Sequence, residues 1–227
     1  MHLILLFLIG LALIVGPGVW VSAVMKRYHF PRDRYAKSGS QTARQLLDSR
    51  GLANVAIEET KSGDHYDPIA KVVRLSPDNF SGNSLTALTV AAHEVGHAIQ
   101  DASGFRPLRW RTRLVRWLGP VEKVGAGLLV LAPFSVALTR IPTIGMLTLL
   151  GGLATLASGI VVHALTLPTE FDASFHRALP LIRQQATLRQ EDLPRARKLL
   201  TAAALTYVSG ALQSLVNIAR WWAILRR

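Results

Sequence analysis

His93-Glu94-Val95-Gly96-His97 is the stretch of this chain whose residue types and spacing could do chemistry. Residues four apart on an α-helix lie one above the other, so both imidazoles can address one metal ion. Glu94 stands about 100° further round, beside such an ion rather than on it. A carboxylate there is placed to take a proton from metal-activated water. Zinc suits two neutral imidazoles plus a third protein ligand, with one position left open. Composition alone produces H-E-x-x-H in roughly one chain in a hundred of this length. A chance match seldom carries apolar flanks such as Leu88, Val90, Ala91, Ala92, Val95, Ala98 and Ile99. One zinc ion per chain is therefore expected.

The elements that position these residues follow from local signals. Ser84 is a plausible N-cap, and the helix it opens should run to about Ala102 and end near Gly104. Asp101 shares the face of His93 and His97. However, eight residues of helix rise about 12 Å, too far for three bonds near ~2 Å to one ion. The third ligand must come from elsewhere, and Leu167–Leu179 is the best source. Glu170 is favoured there, with Asp172 and His176 as alternatives or as groups that orient a ligand. Glu170 and Ser174 share one helical face, Asp172 and His176 another. His163 lies in an apolar run and reads as a satisfied interior histidine. Upstream, Thr42–Ser49 reads as a short helix stopped at Gly51. Val55–Thr60 and Ala70–Leu75 read as strands of a β-hairpin, joined by the turn-rich Lys61–Pro68. Such a hairpin offers an edge on which a peptide could lie as an added strand. His65, Tyr66 and Asp67 are possible active-site border residues, although Asp before Pro is commonly a turn residue.

The chain has 227 residues, of which 50% are hydrophobic and 18% charged, with a formal charge of +12 and no cysteine. That balance leans towards a membrane protein and excludes disulfides and thiolate ligands. The charge could suggest nucleic acid. The Lys and Arg residues flank apolar runs instead, and no nucleic-acid motif is present. Leu3–Val24 is long enough for a spanning helix, and Lys26, Arg27, Arg32, Arg34 and Lys37 follow it. By the charge rule this is an anchor that leaves the next segment in the cytoplasm. Arg106–Arg116, with Trp110 and Trp117 nearby, fits a membrane interface, and two apolar segments follow.

The expected fold is mainly α, with an H-E-x-x-H catalytic helix, a small β-hairpin and about four transmembrane helices. The organisation read from it is an anchor over 1–25 and a cytoplasmic catalytic part over 26–120. A transmembrane hairpin over 121–167, a cytoplasmic segment with the third ligand over 168–198 and a C-terminal transmembrane or membrane-packed helix over 199–227 complete it.

Several segments together carry a resemblance. They are Asp64–Pro68, Val72–Ser76, Ala91–Gln100, Leu165–Ser174 and Ala202–Val208. In order and content they resemble the YugP-type membrane zinc metallopeptidases, over most of the chain from Gln41 onward. The layout is also similar to the HtpX and CAAX-prenyl-protease group, where H-E-x-x-H and a later glutamate are separated by a membrane hairpin. The YugP-type family usually has Val where this chain has Thr169. The resemblance implies a zincin-like endopeptidase of the cell membrane, multi-pass, with its site on the cytoplasmic side. It implies His93, His97 and Glu170 as ligands and Glu94 as general base. It also strengthens the case that Asp64, His65, Tyr66 and Asp67 border the site. The implied partners are a peptide or membrane-protein substrate and the lipid bilayer, without nucleic acid. A zinc-containing adaptor that binds without cutting and a basic lipid-binding protein are the alternatives.

Overall fold

The computed structural model describes residues 2–206 and 208. In chain order the elements are α1 (His2–Arg27), α2 (Gly39–Asp48), β1 (Ala56–Glu59), β2 (His65–Asp67), β3 (Val72–Leu75) and α3 (Pro77–Phe80). Then come α4 (Leu85–Ala102), α5 (Arg106–Thr139), α6 (Pro142–Phe171), a π-helical segment (Asp172–Ala178) and α7 (Leu179–Gln184). A 3-10 turn (Gln190–Asp192) leads into α8, residues 193–206. The expected C-terminal membrane helix over 199–227 lies mostly outside the described residues.

The chain divides into two compact units. One comprises, of the described residues, 2–15, 110–166 and 208, and is built from the long helical stretches of α1, α5 and α6. The other comprises 16–109 and 167–206 and holds the sheet, α4 and every residue of the H-E-x-x-H stretch.

The expectation of about four transmembrane helices is overturned. Among the described residues no helix is long and apolar enough to cross a membrane. The apolar runs do become long helices, but length and unbroken apolarity are separate requirements of a span. Helix α5 begins with Arg106, Arg109, Arg111, Arg113 and Arg116, and α6 ends in Pro168, Thr169 and Glu170. The multi-pass reading built on those spans falls with them.

In the second unit α4 is the central element. Ser84 caps it, its hydroxyl accepting from Ala87 N–H at 3.1 Å. At the other end Gly104 takes φ +69°. Phe105 N–H then reaches Gln100 C=O at 2.9 Å and Gly104 N–H reaches Asp101 C=O at 3.0 Å. This is the paired closure that a left-handed glycine permits. Leu85, Leu88, Ala91, Ala92, Val95 and Ala98 enter the core on one face of about 140°, and Thr86, Ala87, Thr89, His93, Glu94, His97 and Gln100 are buried around the rest. A helix buried on nearly every side must be covered by several elements. Here they are α2, α3, the sheet, the π-helical segment and α7.

The sheet departs from the expected hairpin of the 55–60 and 70–75 runs. It has three strands in the order β1-β3-β2, with β1 parallel and β2 antiparallel to β3. Tyr66 stands opposite Val73, and Ile57 is parallel to it on the other side. The physical reason lies in the connection. Asp67 Oδ1 accepts from Ile69 N–H at 2.9 Å and Ala70 N–H at 3.1 Å, closing a turn directly after β2. The tight hairpin is therefore β2–β3, and the 55–60 run becomes an outer strand.

Candidate metal centre

His93 and His97 project from α4 and Glu170 from the last turn of α6, and all three are buried. Their ligand atoms lie within 4.8 Å of one another, although His93 and Glu170 are 77 residues apart in sequence. Glu170 Oε2 is 3.1 Å from His93 Nε2 and 3.3 Å from His97 Nε2. Ligands at ~2.0–2.2 Å on a tetrahedral ion stand about 3.3–3.6 Å apart. The observed separations are close to that, and two imidazoles with one carboxylate form a donor set suited to zinc.

Electrostatics agree with geometry. Burial pushes the Glu170 carboxyl up, but positive charge at His97 and hydrogen bonding to His93 and His97 outweigh it. The group is held well below the ordinary carboxylate range. The pocket thus calls for positive charge among the three side chains, supplied by imidazole protons or by one metal ion.

Two features bring Glu170 to the histidines. Gly96, between them on α4, faces the backbone of the π-helical segment, where an added Cβ would lie 2.6 Å from Ala173 C=O. Only a glycine allows that approach. Buried Gln100 ties the same elements by side chain, donating from Nε2 to Thr169 C=O and to Asp172 Oδ2, both at 2.8 Å.

Each sequence-derived candidate has a definite place. Glu94 is on α4 and only 6% exposed. Asp172 accepts from Gln100 and pairs with Arg177 Nε at 3.1 Å. His176 is largely exposed and lies 3.4 Å from Asp172 Oδ1 through Nδ1, away from the ligand cluster. Tyr66 is buried and donates its hydroxyl to Asp101 Oδ2 at 2.7 Å. Burial first, then Asp101, raises its pKa above the ordinary tyrosine range. Asp101 also takes Lys71 Nζ, so its carboxylate faces the sheet rather than the ligand cluster. His65 Nδ1 is 2.8 Å from Gly63 C=O, within its own turn. Asp67 closes the β2–β3 turn and pairs with Arg74 Nη1 at 2.8 Å. Backbone hydrogen bonding from Ala70, and then from Ile69 and Arg74, lowers its pKa in spite of burial.

Two contacts escaped the sequence reading. Ser174 Oγ lies 3.1 Å from His93 Nδ1, and Gln100 Oε1 lies 2.9 Å from His97 Nδ1. Signals for both existed. Ser174 is four residues after Glu170 on its face, and Gln100 follows His97 by three, a helical neighbour.

Comparison with known proteins supplies the last finding. Residues 3–226 match a family model described as "Putative neutral zinc metallopeptidase". The chain is 35% identical over 204 residues to "Putative membrane protease YugP" of Bacillus subtilis (strain 168), covering 88% of this chain and 86% of that protein. No solved structure matches.

Proposed function

From the premise that this chain belongs to the neutral zinc metallopeptidase family, and is a zinc-dependent peptide hydrolase, we propose that His93, His97 and Glu170 hold its zinc and that Glu94 is the general base. The observation that carries the ligand assignment is the convergence of three buried donors within 4.8 Å, with Glu170 Oε2 3.1 and 3.3 Å from the two imidazole nitrogens.

Zinc held there supplies Lewis-acid chemistry, activating water and polarising the scissile carbonyl. The chain's own residues do the rest. The Glu94 carboxylate accepts a proton from the attacking water and returns it to the departing amine nitrogen. Its position next to His93 on α4 keeps it beside the ion and off it. Glu170 contributes the negative charge that retains a divalent cation. An edge of the three-stranded sheet takes the peptide backbone as an added strand.

The proposed place of action is the cytoplasmic face of a membrane. The relative's printed name supports membrane association. So do exposed apolar side chains in the long-helix unit, including Leu131, Phe134, Leu138, Met146 and Leu147. Leu131, Phe134 and Leu138 recur at helical spacing on α5, and an apolar stripe of this kind suits an apolar partner. On α5, Trp110, Arg113, Arg116 and Trp117 are all exposed and fall within about 120° of arc. The Arg113 guanidinium lies 6.0 Å from the centre of the Trp110 ring. Cationic and indole side chains on one helical face complement an anionic lipid surface, which the cytoplasmic leaflet provides.

Metal analysis of detergent-purified protein tests the assignment. About one zinc per chain is expected, lost in His93→Ala and in Glu170→Ala. Retention in Glu170→Ala would remove Glu170 as the third ligand and point to Asp172. Glu94→Gln should keep zinc and lose proteolysis by about 10²–10⁴-fold; full activity in that variant would remove Glu94 as the base.

A further inference from the structure

Two buried side chains that touch the histidines can be read atom by atom. Gln100 is completely buried, and both partners of its Nε2, the Thr169 carbonyl and Asp172 Oδ2, are acceptors. That fixes the amide orientation and leaves Oε1 facing His97 Nδ1 at 2.9 Å. An amide oxygen can only accept, so Nδ1 of His97 must carry hydrogen. In the neutral imidazole that a metal ion requires, the lone-pair nitrogen is then Nε2, the atom 3.3 Å from Glu170.

An independent set of partners gives the same result at His93. The Ser174 hydroxyl has one hydrogen, and the Leu200 carbonyl, 3.3 Å away, can only accept it. The hydroxyl oxygen therefore accepts from His93 Nδ1 at 3.1 Å. Nε2 of His93 again faces Glu170, at 3.1 Å.

We propose that Gln100 and Ser174 are positioning residues of the metal centre, each holding one imidazole hydrogen on Nδ1 so that both histidines turn Nε2 to the ion. This rests on the reading of His93, His97 and Glu170 as ligands. Hydrogen-bond partners at the second ring nitrogen commonly set tautomer and orientation in metal sites. Here both partners are neutral and non-titrating. Gln100 has a further effect, because the amide that orients His97 also grips the backbone carbonyl next to Glu170. One side chain thereby places ligands from two elements.

The test uses full-length protein labelled with ¹⁵N-histidine and saturated with zinc. In the parent, His93 and His97 should each show a metal-shifted Nε2 and a slowly exchanging Nδ1–H. Gln100→Leu should speed exchange of the His97 Nδ1–H alone, and Ser174→Ala that of His93 alone. Each should weaken zinc binding about 10–100-fold in chelator competition. If Gln100→Leu does not fold, Ser174→Ala decides, since it removes a single oxygen. Zinc on Nδ1 of either parent histidine overturns the proposal while leaving the ligand assignment intact. Zinc on neither histidine defeats the ligand assignment itself. Weaker zinc binding with both Nδ1–H signals unchanged would reduce the two residues to structural ones and overturn the positioning role.

Discussion

Two buried carboxylates show how neighbours set what a side chain does. Glu170 faces imidazoles and is held ionised where a metal can be shared. Asp192, also fully buried, is instead surrounded by donors that leave no room for one. It takes Arg34 through two bonds of 2.7 Å, Arg195 Nη1 at 2.7 Å and the Tyr35 hydroxyl. Burial pushes its pKa up, but Arg34, then Tyr35 and Arg195, bring it down to about 2. Because the folded value lies below the unfolded value near ~3.9, this group stabilises fully above about pH 4. That contribution is lost as the pH falls through about 2. Thermal melts from pH 5 downward should therefore lose stability in a component that Asp192→Asn lacks. At neutral pH Asp192→Asn should cost about 1–3 kcal/mol, since the partly exposed Arg34 and the exposed Arg195 lose the charged acceptor they share. An equal melting temperature in parent and variant would show that this cluster is not a staple.

At the scale of elements, the centre depends on how closely α4 meets the π-helical segment. In that segment the Leu179 N–H reaches back to Ser174 C=O, one residue further than in an α-helix. Such widened turns recur at functional sites, where they re-aim side chains at some cost in regularity. Here the widened stretch follows Glu170 and carries Asp172 and Ser174. It passes Gly96 so closely that a methyl group would meet a backbone carbonyl, which cannot swing aside. Gly96→Ala should therefore cost about 1–3 kcal/mol in spite of alanine's better helix propensity. It should also weaken zinc binding by moving Glu170 away from the histidines, which calorimetric titration of the folded variant would measure. Unchanged stability and zinc affinity would mean that α4 and this segment are less tightly coupled than the geometry requires.

For the molecule as a whole, a formal charge of +12 and a positive mean hydropathy pull the same way. Positive charge draws a protein to anionic surfaces, and exposed apolar side chains hold it there. Sedimentation with vesicles should show binding to phosphatidylserine-containing membranes that weakens as salt rises. Neutralising Arg113 or Arg116 should reduce it about fivefold each, from the roughly 1 kcal/mol a basic residue contributes near such a surface. Equal binding to neutral vesicles, insensitive to salt, would show that charge does not direct the contact.

What was legible in the chain alone is what short-range geometry dictates. His93 and His97 share a face because a helix repeats every 3.6 residues, and Ser84 and Gly104 mark its ends by local hydrogen bonding and backbone freedom. The membership of Glu170 in the cluster could be argued from composition and resemblance, but its distance from the histidines exists only in the fold. The same is true of the parallel pairing of β1 with β3, of Arg34 and Tyr35 meeting Asp192, of Gln100 meeting Thr169 and of Ser174 meeting His93. Each joins residues far apart in sequence, and no periodicity records such a meeting. The transmembrane spans failed too. An apolar run announces a helix, but among the described residues none of the helices built is long and apolar enough to cross a membrane. Local rules wrote α4, and tertiary packing decided what stands around it.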